Sequence, residues 1–397
     1  MNQIFELSTK LQSLVIFRNI LNDNAISNLI DLIKSLSEPC DVNKAVGAYS
    51  NFVSKLFLST TSLSDYILEL VLSDENFYVV GKGQGKEFDS IVNDSLHSDL
   101  STLNQLSALT ASEVKSFIDY NGFLAHWTTS NLNFIERYEE HINNIHLHGY
   151  GIFSKHYAFV FTNQSIKPIL NPDLPLLQNL PCYEEERQLV IKNTLSLING
   201  HGASNVLLYG DAGTGKSSTI KAILNEYKDN GLRLIEIKKD ELVNLPFLLE
   251  QLSFNPLKFI LFIDDLSFKE NDENFAALKA ILEGSIAYRT NNIALYATSN
   301  RKHLVKEDMA HRHGSDLHIN DTIQETLSLS ARFGLTVTFQ SPGKDNYIDI
   351  VKYIAQQQGL HLPLQELIVK AEAFAIRNGG RSPRTAKHFV QIELLKN

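Results

Sequence analysis

The sequence predicts an α/β fold built on a parallel sheet, with helical regions on either side of it. Three observations predict this. Short apolar stretches recur in the second half of the chain, at Asn205–Tyr209, Leu232–Ile237, Phe259–Ile263, Ile293–Ala297 and Leu335–Phe339, with helical periodicity between them, the alternation that a parallel sheet requires. A glycine-rich turn follows the first stretch and opens a helix. Amphipathic helical spacing fills the chain before about residue 145 and again after Lys344.

The first stretch and its turn read SNVLLYGDAGTGKSST. Val206, Leu207, Leu208 and Tyr209 form an unbroken apolar run suited to a strand buried on both faces. Gly210, Gly215, Lys216 and Ser217 then occupy every fixed place of the phosphate-loop pattern G-x-x-x-x-G-K-[ST]. Between them, Asp211, Ala212, Gly213 and Thr214 supply backbone N–H groups, and Gly213 lets the chain turn them inward. A helix opening near Lys216, with Ser218 in its first turn, adds orphan N–H groups and a positive dipole end. In that arrangement Lys216 reaches the terminal phosphates of a nucleotide and the Ser217 hydroxyl ligates Mg²⁺. The bland alternative is an ordinary strand-to-helix turn.

A carboxylate is needed near such a loop to hold the metal, and LKFILFI runs directly into Asp264 and Asp265. Asp264 takes the Mg²⁺ position. Asp265 stands where a glutamate commonly polarises an attacking water, one methylene shorter, which points to slow hydrolysis or a shifted water. Strand Ile293–Ala297 ends in Thr298-Ser299-Asn300, and the Asn300 amide is a candidate to hold that water or touch the γ-phosphate. Polar strand ends are common for other reasons. Arg301, Lys302 and Arg312 lie in the basic, histidine-rich stretch that follows, read as a solvated loop before a phosphate-backbone contact.

The chain has 397 residues, too many for one ordinary core, so two or three domains are expected. Its 43% hydrophobic and 20% charged residues describe a folded, soluble protein. Two cysteines, Cys40 and Cys182, argue against a disulfide framework or a zinc module and fit a reducing compartment. No apolar run approaches the roughly 20 residues of a membrane span, and the start MNQIFELSTKLQSL lacks the order of a signal peptide. A cytoplasmic location without membrane contact is the expectation. The formal net charge of −9 opposes nucleic-acid binding over the whole surface, leaving only a local basic channel for it.

In the first region Ile26, Leu29, Ile30 and Ile33 mark one amphipathic helix, and Val46, Tyr49, Val53 and Leu56 another. Phe77 to Val80 followed by GKGQGK reads as a strand and turn, without phosphate-loop spacing. Trp127 reads as a packing residue. His146 and His148 have the spacing that places two rings on one side of a strand, but no further metal ligands stand nearby in sequence. Alternation from Tyr150 to Thr162 suggests a strand or hairpin, and the four prolines between Pro168 and Pro181 suggest a linker. The helix that follows turns Glu184 to Arg187 towards solvent. Tyr183, just before it, is a candidate to stack on a nucleotide base, or the helix simply packs on the sheet.

GDAGTGKSS, FILFIDDL, ATSN, SARFGLTVTF and GRSPRTAKHF now stand in one order. Together they resemble the AAA+ ATPases, and within them the bacterial group with a DUF815 domain, most closely from about Tyr183 to Phe389 through phrases such as NVLLYG, ILFIDDLSF and YATSNRKHL. The resemblance implies a five-stranded parallel core of strand order 5-1-4-3-2 that binds ATP with Mg²⁺ and hydrolyses it. It assigns Asn300 to sensor 1, Arg332 to an arginine finger inserted into a neighbouring subunit's site, and Arg384 to sensor 2, with Arg381 the rival. Ala331 stands where the group usually has an acidic residue before the finger. A finger used by a neighbour implies a homo-oligomer, hexameric in this superfamily and formed with ATP.

The expected domains are therefore a mostly helical one over 1–175, with a small β-hairpin, the ATP-binding α/β core over 176–343 and a helical lid over 344–397. The expected function is an ATPase that remodels an unidentified macromolecular client. The alternatives are a slow nucleotide-dependent switch or scaffold, warranted by Asp265, and a DNA-associated helicase-loader-like ATPase, warranted by the basic stretch after Asn300.

Overall fold

A computed structural model describes residues 2–36, 41–268, 273–282, 291–300 and 331–396. Cys40 and the basic stretch with Arg301, Lys302 and Arg312 lie outside the described residues. The chain divides into two compact units, Met1–Lys155 and His156–Asn397.

The first unit is helical. Its longer helices, Asn24–Ser35, Val42–Leu56, Leu63–Ser73 and Ser90–Ser107, each begin at an Asp or Ser whose side chain accepts from a first-turn N–H, which satisfies donors that the helix itself leaves unpaired. Their apolar stripes meet in one core with Phe52, Leu63, Ile67 and Leu103 at its centre. Trp127 is buried there, donating its ring N–H to Leu109 O at 2.8 Å and meeting Phe52 edge-on at 5.0 Å between ring centres. Asp99 is buried too, and its Oδ2 accepts from the N–H groups of Val15, Ile16 and Phe17 at 2.9, 2.7 and 3.3 Å.

Two local expectations are corrected in this unit. Phe77–Gly83 is a helix, not a strand, because Asn76 caps it through Tyr78 N and Val79 N, a signal that local capping supplies and β-rich composition hides. His146 and His148 lie in the short helix Ile145–His148, where a spacing of two turns the rings apart; His148 instead stacks on His141 at 5.6 Å.

The second unit is built on a seven-stranded sheet in the order β2-β1-β4-β5-β6-β3-β7. The strands are β1 (Ala158–Thr162), β2 (Ser165–Pro168), β3 (Val206–Gly210), β4 (Leu232–Ile237), β5 (Lys258–Ile263), β6 (Ile293–Ser299) and β7 (Leu335–Phe339). The expected five-strand count and order are thereby corrected. The anticipated run of five lies inside the sheet, and a hairpin extends it beyond β4. β1 pairs parallel with β4, Phe159 opposite Ile235, and antiparallel with β2. The hairpin turns at Asn163 and Gln164, both at positive φ of 50° and 55°, as a tight two-residue connection requires. Phe159 and Phe161 are fully buried, and each stabilises the added strand by about 1.5–3 kcal/mol.

The proline-rich stretch lies within this unit rather than between units. Leu174 and Leu177 pack against the sheet's core, and Asn225 Nδ2 donates to the carbonyls of Leu174 and Pro175. After β7, the helices Lys344–Gln358, Leu364–Arg377 and Pro383–Leu394 form a bundle around Tyr347, Val351, Ala371 and Phe389. Among the described residues no helix is long and apolar enough to cross a membrane.

Candidate functional site

β3 is the central delivery strand. Val206, Leu207 and Leu208 are fully buried, and the strand pairs with β6 on one side and β7 on the other. Its last residue, Gly210, has φ +140°, and a Cβ there would lie 2.0 Å from Phe339 O, so no larger residue fits. Gly213 and Gly215 also take positive φ, 79° and 97°, and bring the loop round to the helix Lys216–Tyr227.

Lys216 points back into this loop. Its Nζ donates to Gly210 O at 2.8 Å, Asp211 O at 2.7 Å and Asn300 Oδ1 at 3.1 Å. Burial pulls its pKa below the usual lysine range, opposed by the nearby carboxylates of Asp211, Asp264 and Asp265. Asn300 is bound at its other end as well, its Nδ2 donating to Asp265 Oδ1 at 2.9 Å. Lysine, asparagine and Asp265 thus form one chain of contacts from the loop to the tips of β6 and β5.

Asp264 ends β5 beside the loop. Its Oδ1 accepts from Ser217 Oγ at 2.6 Å and from Thr298 Oγ1 at 2.5 Å. Thr298 Oγ1 in turn accepts the Asp265 N–H at 2.9 Å, which steadies Asp265 in a left-handed conformation at φ +52°. Asp264 and Ser217 present hard oxygen atoms to the same point, a pair that suits Mg²⁺, which takes one or two protein oxygens and completes its shell with phosphate and water. Among the described residues no group of three His, Cys, Asp or Glu side chains converges on a metal position, so the oxygen pair is the arrangement available.

These residues open on a cavity of 840 Å³. Ala212, Gly213, Thr214, Gly215, Lys216, Ser217 and Ser218 line it, with Asp264, Asp265 and Asn300. Asp211 does not; its side chain turns away to accept from Ser341 N at 3.0 Å. Tyr183 lines the cavity but is itself buried, its hydroxyl donating to Gln340 O at 2.6 Å and its ring 5.1 Å from Phe339. Burial raises the Tyr183 pKa above the ordinary tyrosine range.

The two lid arginines part company here. Arg381 forms a two-pronged pair with Glu372, at 3.0 and 2.6 Å, while Arg384 lines the cavity. Arg332 is half-buried just before β7, and it is not among the residues that line the cavity. Arg187, expected in solvent, is buried; its guanidinium donates to Cys182 O and to Glu184 Oε1 at 3.0 Å, because the chain bends through left-handed Cys182 and Tyr183 and leaves that carbonyl needing a donor.

Sequence reasoning missed three contributors. Thr298 had a signal, a hydroxyl residue on the strand beside β5, but its contact with Asp264 depends on register. Lys387 lies three residues after Arg384, on the same helix face, and lines the cavity with it. The stretch Asp173–Pro181 supplies another wall, which prolines alone did not reveal.

A buried strand, a glycine loop, a helix opening on lysine and a facing aspartate at the end of a nearby parallel strand define a P-loop α/β fold. Residues 154–395 match the family model described as "Protein of unknown function (DUF815)", and the chain belongs to that family. A comparison with curated proteins finds no match.

Among solved structures, the chain is similar to the RuvB Holliday junction branch migration motor of Thermotoga maritima, at 16% identity and a TM-score of 0.38, over 56% of this chain and 66% of that one. It is also similar to the Aeropyrum pernix ORC1 protein in complex with DNA, at 16% identity and a TM-score of 0.39, over 57% and 62% of the two chains. The matches thus span just under two thirds of each of those chains.

Proposed function

We propose that the second unit binds ATP with Mg²⁺ in the 840 Å³ cavity and hydrolyses it, and that the resulting change in the lid acts on a macromolecular client. The observation that carries this reading is the joined pair of contacts Lys216–Asn300–Asp265 and Ser217–Asp264, which gathers a phosphate-binding cation, a polar strand tip and two carboxylates at one end of one cavity.

The loop N–H groups and Lys216 hold the β- and γ-phosphates, and Lys216 exchanges its two loop carbonyls for phosphate oxygens. Ser217 and Asp264 would hold Mg²⁺, which would supply neutralisation of phosphate charge. Asp265 orients the attacking water and Asn300 places it. Arg384 meets the phosphates from the lid, and Arg332 serves the site of a neighbouring subunit in a homo-oligomer, hexameric by family resemblance. Tyr183 borders the base end. The client is a macromolecule met in the cytoplasm.

One observation favours a slower switch. The Asp265 carboxylate is short and already accepts from Asn300, so water must compete for its oxygens. Steady-state phosphate release separates the two readings. A rate that falls about a hundredfold or more in Asp265→Asn supports the hydrolase. Equal, near-zero rates in both proteins leave the switch, and absence of Mg-ATP binding to the wild-type chain together with Lys216→Ala removes both.

A further inference from the structure

A carboxylate beside a polyphosphate is repelled by it, so Asp211, in the second place of the phosphate loop, calls for a physical reason. Its geometry supplies one. Asp211 keeps out of the cavity, and its Oδ2 accepts the Ser341 amide at 3.0 Å while its own N–H donates to Phe339 O at 3.2 Å. Ser341 stands two residues before Gly343, which caps the first lid helix, Lys344–Gln358. The Tyr183 hydroxyl holds the intervening Gln340 carbonyl at 2.6 Å. The entry to the lid is therefore tied to the root of the phosphate loop.

A second tie lies at the other end of the lid. The Arg384 N–H donates to Gly213 O at 3.2 Å, and a Cβ on Gly213 would stand 2.9 Å from Arg384 Cβ, so the loop and the last lid helix touch backbone to backbone. Between these ties the lid has its own apolar core, centred on Tyr347, Ala371 and Phe389, which packs its helices into one body. Fixing its entry through Asp211 fixes where the Arg384 side chain stands relative to the loop, although the two side chains do not meet.

Resting on the ATP-binding reading of the same cavity, we propose that Asp211 is a positioning residue: by holding the Ser341 amide it keeps the lid seated on the phosphate loop and sets how strongly Arg384 acts on bound nucleotide. A merely local charge has the opposite effect, since removing a carboxylate near phosphate tightens binding.

The test is a double-mutant cycle on the full chain with Mg and a fluorescent ATP analogue. Arg384→Ala is expected to weaken binding about tenfold in the wild-type background and about twofold in Asp211→Ala. Asp211→Asn, whose amide oxygen still accepts the Ser341 N–H, restores most of the Arg384 effect. Ser341→Pro, which removes the donor and leaves the loop sequence intact, reproduces Asp211→Ala and adds nothing to it. Equal Arg384 effects in both backgrounds, or tighter binding by Asp211→Ala with the Arg384 effect unchanged, overturn the proposal while leaving the site reading intact. Failure of the wild-type chain to bind the analogue overturns both.

Discussion

Ser217 Oγ donates to Asp264 Oδ1 at 2.6 Å, joining the first turn of the loop helix to the end of β5. Neither group has a structural need for the other, because a serine in a first turn and an aspartate at a strand end are both readily solvated. Their meeting makes the two-oxygen corner proposed above for Mg²⁺. In isothermal titration, ATP binding to the wild-type chain is expected to weaken when EDTA replaces Mg²⁺. In Asp264→Asn the two conditions should agree within about twofold, with Mg-ATP affinity reduced at least about tenfold. An undiminished Mg²⁺ effect in that variant would place the metal elsewhere.

Gly210 offers a test of the loop's geometry that needs no ligand. Its φ of +140° and the 2.0 Å approach of Phe339 O exclude any Cβ without separating β3 from β7. Gly210→Ala is expected to lower unfolding stability by about 2–4 kcal/mol. Gly343→Ala serves as control, with φ −59° and nothing within 4 Å of its added Cβ, and should leave stability nearly unchanged. Denaturant titration of both variants decides it; similar midpoints would contradict the geometry.

The lid arginines should separate by readout. Arg381 is committed to Glu372, whose carboxyl it holds below the usual glutamate range. Arg381→Ala is expected to lower the melting temperature and leave ATP affinity close to wild type. Arg384→Ala should do the reverse, keeping the melting temperature and weakening ATP about tenfold. A nucleotide defect confined to Arg381→Ala would reverse the two assignments.

His141 makes the first unit acid-sensitive. Burial, and then the neighbouring His148, lower its pKa from 6.5 to about 4, so the folded state keeps the ring neutral where the unfolded state protonates it. Stability is expected to fall as pH drops from about 6.5 towards 4, by up to about 3 kcal/mol. The chain has one tryptophan, Trp127, buried in this unit, so its fluorescence reports the unit's unfolding selectively. Asp74 and Glu75 act in the other direction, since burial raises both and they gain protons in the fold. The measurement is therefore the difference between wild type and His141→Gln. Parallel stability curves across that pH range would refute the prediction.

Much of this was legible in the chain because it is local. The loop residues Gly210 to Ser217 follow a fixed spacing, Asp264 and Asp265 end an unbroken apolar run, and Ser382 and Pro383 announce the last helix. Less legible were features whose energy comes from partners far along the chain. Phe159 and Phe161 alternate as any hairpin would; only pairing with β4 places them in the sheet of the second unit. Arg187 reads as a solvent-facing charge until the bend at Cys182 and Tyr183 turns it inward.

By itself the sequence determined the chemistry on offer: a lysine at the start of a helix behind a glycine loop, an aspartate pair closing a strand, and cations on a terminal helix. Tertiary structure decided which of these face one cavity. It turned Arg384 in and locked Arg381 away, brought Thr298 onto Asp264, and aimed Asp211 at Ser341 instead of into the cavity. The reason is physical. Spacing along the chain records what each backbone turn needs, whereas contacts between strand ends follow from sheet order and register, which arise only when the whole core packs.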